Sequence, residues 1–275
     1  MAISNFIPTI WSETLYSELD KQYIAAANSN RDFEGEIKEK GSKVRICGVG
    51  DILVSNYTKD TDMGTPQTLS DNARELTIDF AKYFNFQIDD IDKAQTTPKL
   101  MEAAMKRAAS ALANEADKAI YNETINAAST INVNVTVDNI IDSIVSARTK
   151  LYENNVSSDT EVFLEVSPQI AALLYKAKSA FLSDNTQMVE SGFIGNIFGC
   201  KVFVSNNIQD IEMPSGRMHR CLMRTKRAIA FAEQLSEIEA YRPEKRFADA
   251  IKGLYLFGAK AVFPKEMVAL EFTVE

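Results

Sequence analysis

His219 is the single histidine in 275 residues, so any imidazole base or histidine metal ligand must be this one. With Cys221 two residues on, a strand would put both side chains on one face, as in a Cys-His pair or half a zinc site. Two ligands do not make such a site, and an ordinary strand histidine beside a buried thiol is the better reading. A serine triad would also need this histidine, and no Gly-x-Ser-x-Gly turn supplies its nucleophile. Cys47, Cys200 and Cys221 are odd in number and far apart, matching neither a disulfide framework nor a metal spacing. They suit a chain that folds in a reducing cytoplasm.

Phosphate and calcium chemistry fare no better. Gly48-Val49-Gly50 is followed by Leu53 where a dinucleotide loop has its third glycine, and no Gly-Lys-Ser/Thr occurs. Gly192, Gly195 and Gly199 read as turns. Asp60-Thr61-Asp62-Met63-Gly64 begins like a calcium loop but lacks its glycine at the sixth position and its closing glutamate. Asp89-Asp90-Ile91-Asp92 could gather carboxylates around a cation, yet acids between a strand and a helix are commonly solvated turn residues. Arg217, Arg220, Arg224, Lys226 and Arg227 form the densest basic run, with no acid between them. A solvated strand edge or a subunit contact fits it better than a phosphate site. Neither a cofactor, a metal nor an enzyme activity is expected.

The elements that carry these residues are long and unusual. The chain has 45% hydrophobic and 25% charged residues, thirty bases against thirty-eight acids, and a net charge of −8. Those values describe a globular protein and argue against a dedicated nucleic-acid binder. The N-terminus resembles no signal peptide, and no apolar run reaches the ~18–20 residues of a membrane span.

After Pro8 a helix is predicted, with Ser12 as N-cap and a stripe of Trp11, Leu15, Tyr16, Leu19 and Tyr23 that must pack on its own subunit or a neighbour. Phe33 to Glu75 is a charged ribbon with short strands at Val44/Ile46 and Ile52/Val54 and little core of its own, so it leans on a partner chain. Alternation of Leu76, Ile78, Phe80, Phe84, Phe86 and Ile88 predicts one strand of about 43 Å. Thr97-Pro98 opens a long helix running to about Ala128, sustained by eight alanines between Ala103 and Ala119.

An α/β section follows: a helix over Asp138–Tyr152, the apolar strand Val162–Val166, and a helix from Ser167-Pro168 through Lys178. A glycine turn over Phe193–Gly199 then leads into the strand Lys201–Ser205. Thr225 to Gln234 reads as a short helix. Strands are predicted at Ile238–Tyr241, Phe247–Ile251, Leu254–Phe257, Ala259–Phe263 and Val268–Phe272. The early strand and long helix must pack on the last forty residues, which makes the α/β section an insertion and the contact order high.

This order of elements resembles the major capsid proteins of tailed bacteriophages with the HK97-type fold. The stretch Gly192–Asn206 (GFIGNIFGCKVFVSN) looks like the glycine-turn-then-strand of the family's axial lobe. Phe247–Pro264 (FADAIKGLYLFGAKAVFP) looks like its closing peripheral strands. Asn5–Tyr23 is similar to its arm and Thr97–Tyr121 to its spine helix.

The resemblance implies an α+β chain with an N-terminal arm (1–32), an extended loop (33–75), and a peripheral domain (76–131 and 233–275) with its spine helix over 97–128. An inserted axial α/β domain (132–232) completes it. It implies a coat protein, not an enzyme, that assembles as pentamers and hexamers in the host cytoplasm into a virion shell around double-stranded DNA. A portal protein and a separate scaffolding protein are implied partners, the latter because the chain begins with its arm; no membrane is involved. The acidic balance suits a wall that must not grip DNA. Trp11, Leu15, Tyr16, Lys43, Arg45, Lys59, Arg217 and Arg220 are the expected inter-subunit contacts. Lys43 and Lys59 lie where the type member cross-links a lysine to a neighbour's asparagine, but no partner is identifiable, so cross-linking is not expected. The alternative is an encapsulin-type nanocompartment, which shares the fold and encloses cargo enzymes.

Overall fold

The computed structural model describes residues 15, 17–19, 22–33, 41–46, 54, 56, 59, 64–65, 74–89, 100–177, 193–214, 216–245 and 247–274. The expectations resting on Trp11, Ser12, Tyr16, Gly48–Leu53, Asp60–Met63, Asp90–Asp92 and Thr97-Pro98 lie outside these residues.

Val162-Phe163-Leu164-Glu165-Val166 is apolar but for one acid, and all five residues are buried as β5 (Val162–Val166). It lies inside a seven-stranded sheet of order β4-β12-β9-β5-β7-β6, with β8 added on β9. The remaining strands of that sheet are β4 (Ser129–Asn134), β6 (Phe193–Ile197), β7 (Cys200–Val204), β8 (Asp210–Met213), β9 (Gly216–Thr225) and β12 (Met267–Val274). β4 runs parallel to β12, and β5 parallel to β7. A strand buried on both faces needs cover on both. Helices α2 (Ile140–Glu153) and α3 (Pro168–Lys176) supply one cover. Their Ile144, Leu151, Ile170 and Leu174 pack with Val162, Leu164 and Val166. Ser167 caps α3, its Oγ accepting from the Ile170 amide with proline at the first helical position, as the sequence predicts.

The other cover is the spine helix α1 (Leu100–Asn122), followed by a 3-10 turn over Glu123–Asn126. Met105, Ala109, Leu112, Ala116 and Ile120 join Leu222 of β9 with Phe231, Tyr255 and Phe257 of a second sheet. That sheet is β10 (Ile229–Tyr241), β11 (Ala248–Ala261) and β3 (Phe80–Asp89), all antiparallel. The early strand and spine helix therefore do pack on the C-terminal strands.

Several elements differ from expectation. The single long strand is two: β2 (Arg74–Thr77) pairs with β1 (Lys43–Ile46), whereas β3 pairs with β11. The break comes at Ile78-Asp79, where Leu76 and Ile78 are claimed by a small core with Val44, Ile46, Ala230, Ala232 and Leu256. Thr225–Gln234 is no helix. After a one-turn 3-10 element at Lys226–Ala228, β10 begins, and its Ile229 and Phe231 face the spine core while Ala230 and Ala232 face the ribbon. Burial on two faces with period two overrides the helix propensity of its alanines. The three strands read between Phe247 and Phe263 are the single β11, with Gly253 and Gly258 inside it. The spine helix ends at Asn122, not near Ala128, and the chain tightens into a 3-10 turn over Glu123–Asn126. Phe193–Ile197 is strand, and only Phe198-Gly199 turns. β12 was read among the peripheral strands but bonds into the seven-stranded sheet between β4 and β9. No helix among the described residues is long and apolar enough to cross a membrane.

Candidate assembly surfaces

The basic run does not form a surface patch. β9 is an inner strand, so its alternate residues are aimed at neighbouring layers rather than at solvent. Arg224 is fully buried and forks onto Glu165, Nη2 lying 2.9 Å from Oε1 and Nε 3.2 Å from Oε2. Arg220 bonds Glu271 at 3.1 Å across the β9–β12 ladder, and Arg227 bonds Glu266. Of the two expected contact arginines, Arg220 is thus committed inside its own subunit. Arg217 stays half exposed, 3.8 Å from both Asp210 and Glu212. His219 is buried between Asp210 at Nδ1 (2.6 Å) and Gln169 at Nε2 (2.7 Å). It fastens the β8–β9 hairpin to α3. Cys221 is buried too, and burial pushes its thiol up to about 12, far from a reactive thiolate. No group of three metal-ligating side chains occurs among the described residues.

What Arg224 and Glu165 hold is the N-terminal segment. Arg224 donates to the carbonyls of Ala25 and Asn28 and to Ser29 Oγ, and Glu165 accepts from Asn28 Nδ2. Asp117 of α1 accepts from the backbone amides of Ile24, Ala25 and Ala26, each at 3.1 Å. Asn30 bridges to β10 through Ile229 and Phe231. Glu233 of β10 accepts from Tyr23 Oη, Tyr255 Oη and Arg31 Nη2. Burial first, and then the Glu233 charge, hold both phenols well above their ordinary range. A short irregular segment has a full set of backbone groups to satisfy. Asp117 of the spine helix, Arg224 of the seven-stranded sheet and the β10 backbone at Ile229 and Phe231 satisfy many of them, so the segment bolts the three layers together.

Burial outweighs those three amide donors at Asp117 and pushes its carboxyl up to about 7. The folded protein therefore holds this proton more tightly than the unfolded chain, whose aspartate titrates near ~3.9. The stability from this group is full below about pH 4 and is lost as pH rises through about 7. Urea unfolding of the unassembled subunit is expected to show that decline across the interval. Asp117→Asn should flatten it relative to wild type, and equal slopes in the two proteins would rule the assignment out.

The remaining expected contacts are mixed. Leu15 is fully buried with Leu19 and Tyr23 against α1, so it belongs to its own subunit's core rather than to a neighbour. Lys43 is exposed on the ribbon and bonds Glu75 of the paired strand at 2.8 Å. Arg45 and Lys59 are exposed. Glu165, Asp117 and Glu233 were not singled out from the sequence. Glu165 left a readable signal: a lone acid inside an otherwise apolar buried strand requires a cationic partner.

Among the described residues, large apolar side chains exposed to solvent include Val54, Ile125, Tyr83 on β3, Val145 and Tyr152 on α2, Phe198 at a hairpin tip, and Phe247 and Phe263 near the ends of β11. Such side chains on a chain of this architecture are available to other copies.

Comparison with known proteins agrees with the geometry. A family model described as phage capsid protein matches residues 75–270, well over half of the chain. A solved chain from Mycobacterium phage Che8 is 27% identical, with a TM-score of 0.72 over 90% of this chain and 91% of that one. The mature capsid of bacteriophage PhiM1 shares 16% identity at a TM-score of 0.64, covering 91% of this chain and 87% of its own. The virus-like particle of Pyrococcus furiosus shares the fold at 12% identity and a TM-score of 0.60, covering 96% and 99%. No curated protein sequence matches the chain. With its spine helix, its extended ribbon and its two-sheet body, the chain belongs to the phage capsid protein family: it is a major capsid protein of the HK97-type fold, a structural component of an icosahedral bacteriophage shell.

Proposed function

We propose that this chain tiles its shell as pentamers and hexamers and that the shell encloses double-stranded DNA without reading its sequence. The observation that carries the reading is the phage capsid family match across both sheets and the spine helix. The seven-stranded sheet with α2 and α3 is the axial lobe around the local symmetry axes, near the expected 132–232. The three-stranded sheet with α1 is the peripheral lobe. The arm and the loop over 33–75 reach onto neighbouring copies. The net charge of −8 supports a wall that holds DNA loosely, because a basic lining would bind phosphates tightly and resist packing and ejection. A portal and a separate scaffolding protein are the partners of this assembly, which takes place in the host cytoplasm. The nanocompartment alternative has no observation in its favour beyond the shared fold.

Expression of the chain alone, and with the scaffolding protein of its phage, tests this by light scattering and negative-stain imaging. Closed shells, or free rings of five and six, are expected. A uniform small oligomer that persists beside the scaffolding protein would defeat the reading.

A further inference from the structure

Arg148 carries a charge that its own subunit does not neutralise. It stands on the inward face of α2 among Ile144, Ala147 and Leu151 and is only 5% exposed. Its Nε and Nη1 are both shut off from solvent, and neither has a hydrogen-bond partner. Nη2 is the one guanidinium nitrogen outside that enclosure. A buried cation is ordinarily paired, because an uncompensated charge and idle donors are both costly in a low-dielectric site. Arg224 on β9 meets that requirement with Glu165; Arg148 does not.

The surrounding groups are committed elsewhere. Glu153 of the same helix is taken by Lys150 at 2.8 Å, and Glu161 by Lys201. Cys200 of β7 feels the charge of Arg148, but burial pushes its thiol up to about 11, so no thiolate forms to pair with the cation. Tyr152, one turn along α2 and 46% exposed, stacks on the guanidinium at 4.6 Å. That contact draws on the flat face of the group. The N–H bonds lie in the guanidinium plane and stay unused.

We propose that Arg148 is an oxyanion site, which receives a carboxylate or a phosphate in the plane of its guanidinium from outside the subunit. Nη2 belongs to both bidentate edges of the group, one shared with Nε and one with Nη1, so an oxyanion entering at Nη2 reaches an idle donor either way. Two sources supply this chemistry: a carboxylate side chain of a second copy of this chain, or a free phosphate ion. Thirty-eight acids against thirty bases leave each copy with carboxylates to offer. The carboxylate source rests on the shell reading above, whereas the site itself does not.

The test melts the unassembled subunit in sodium phosphate and in sodium chloride at equal ionic strength, as wild type and as Arg148→Met. In chloride the variant should melt no more than about 2 °C below wild type, since removing an unneutralised buried charge offsets the lost Tyr152 stack. Where phosphate fills the site, wild type should gain about 2–4 °C over the variant. The general salting effect of phosphate acts on both proteins and cancels in the comparison. Where a neighbour's carboxylate fills it, phosphate leaves the two subunits alike, and Arg148→Met particles should dissociate at least about tenfold more readily than wild type. Arg148→Lys keeps the charge without the bidentate edge, so it should fall between the two on whichever arm responds. An Arg148→Met subunit that melts far below wild type in chloride would show the cation satisfied within its own subunit and would overturn the site. So would a variant that matches wild type on both arms. Absence of wild-type particles would count against the shell reading, and the phosphate arm alone then decides the site.

Discussion

Arg224→Met is expected to destabilise the subunit by about 3–5 kcal/mol, the cost of stranding a buried carboxylate without its cation. Arg224 and Glu165 are both fully buried, and the guanidinium also donates to two carbonyls and a hydroxyl of the N-terminal segment. At the ~2–4 °C per kcal/mol of a domain this size, the melting temperature should fall by roughly 10 °C or more. Limited proteolysis should then cut between Tyr23 and Arg31, because the Asn28 carbonyl loses its guanidinium donor and the Ala25 carbonyl is left with Ser29 Oγ alone. The double variant Arg224→Met/Glu165→Leu removes the stranded charge, so it should recover part of the loss. Full recovery is not expected, since the Asn28 carbonyl stays without its guanidinium donor and the Ala25 carbonyl keeps only Ser29 Oγ. A single variant within about 1 kcal/mol of wild type would show that the pair does not fasten the segment.

Gly258→Val should be nearly as costly, for a steric reason. β11 runs through the middle of its sheet, between β10 and β3, and a Cβ added at Gly258 would stand 2.3 Å from the Thr77 carbonyl oxygen and 3.1 Å from Ile78 Cδ1. The nearest atom is backbone and cannot rotate away. Thr77-Ile78 is the link where the chain leaves the ribbon for β3, so the clash must either push the ribbon off or spread β3 from β11. Overpacking of this kind costs about 3 kcal/mol, and here it acts on the small core of Val44, Ile46, Leu76 and Ile78. Faster proteolysis of the 41–77 ribbon with the spine-helix core intact is the expected signature, and assembly should fail with it. A Gly258→Val protein with wild-type melting and wild-type ribbon protection would contradict this account.

The sequence was most readable where one face of one element decides the pattern. The alanine-rich stripe from Met105 to Ile120 could only be a helix laid on a core, and Ser167-Pro168 marks its helix start by local chemistry alone. Order along the chain did the rest, since an arm, a ribbon, a long helix, an α/β section and closing strands make the HK97-type resemblance without any invariant motif. Burial on two faces was legible in the uniformly apolar Val162–Val166 but not where small residues alternate between two cores. Thr225–Gln234 looked helical because its alanines have helix propensity, yet each alternate residue of β10 fills a different core. The Leu76–Ile88 alternation was correct as a pattern, but periodicity does not report a change of hydrogen-bonding partner between β2 and β3.

Composition and pattern by themselves pointed to an α+β chain built around a long helix laid on a core. They also separated charged ribbon from core. Only the tertiary structure decided what the charges do. Five basic residues close together in sequence look like one patch, because a sequence shows charge density but not direction. Folded onto β9, they point to different faces, and the acids that neutralise Arg220, Arg224 and Arg227 come from Glu271, Glu165 and Glu266, all at least 39 residues away. Pairing at that separation is set by strand order, which local propensity does not encode. The same holds for the tip at Phe198: the turn was legible from its glycine, but the positive φ and exposure of the aromatic beside it exist only once β6 and β7 are paired.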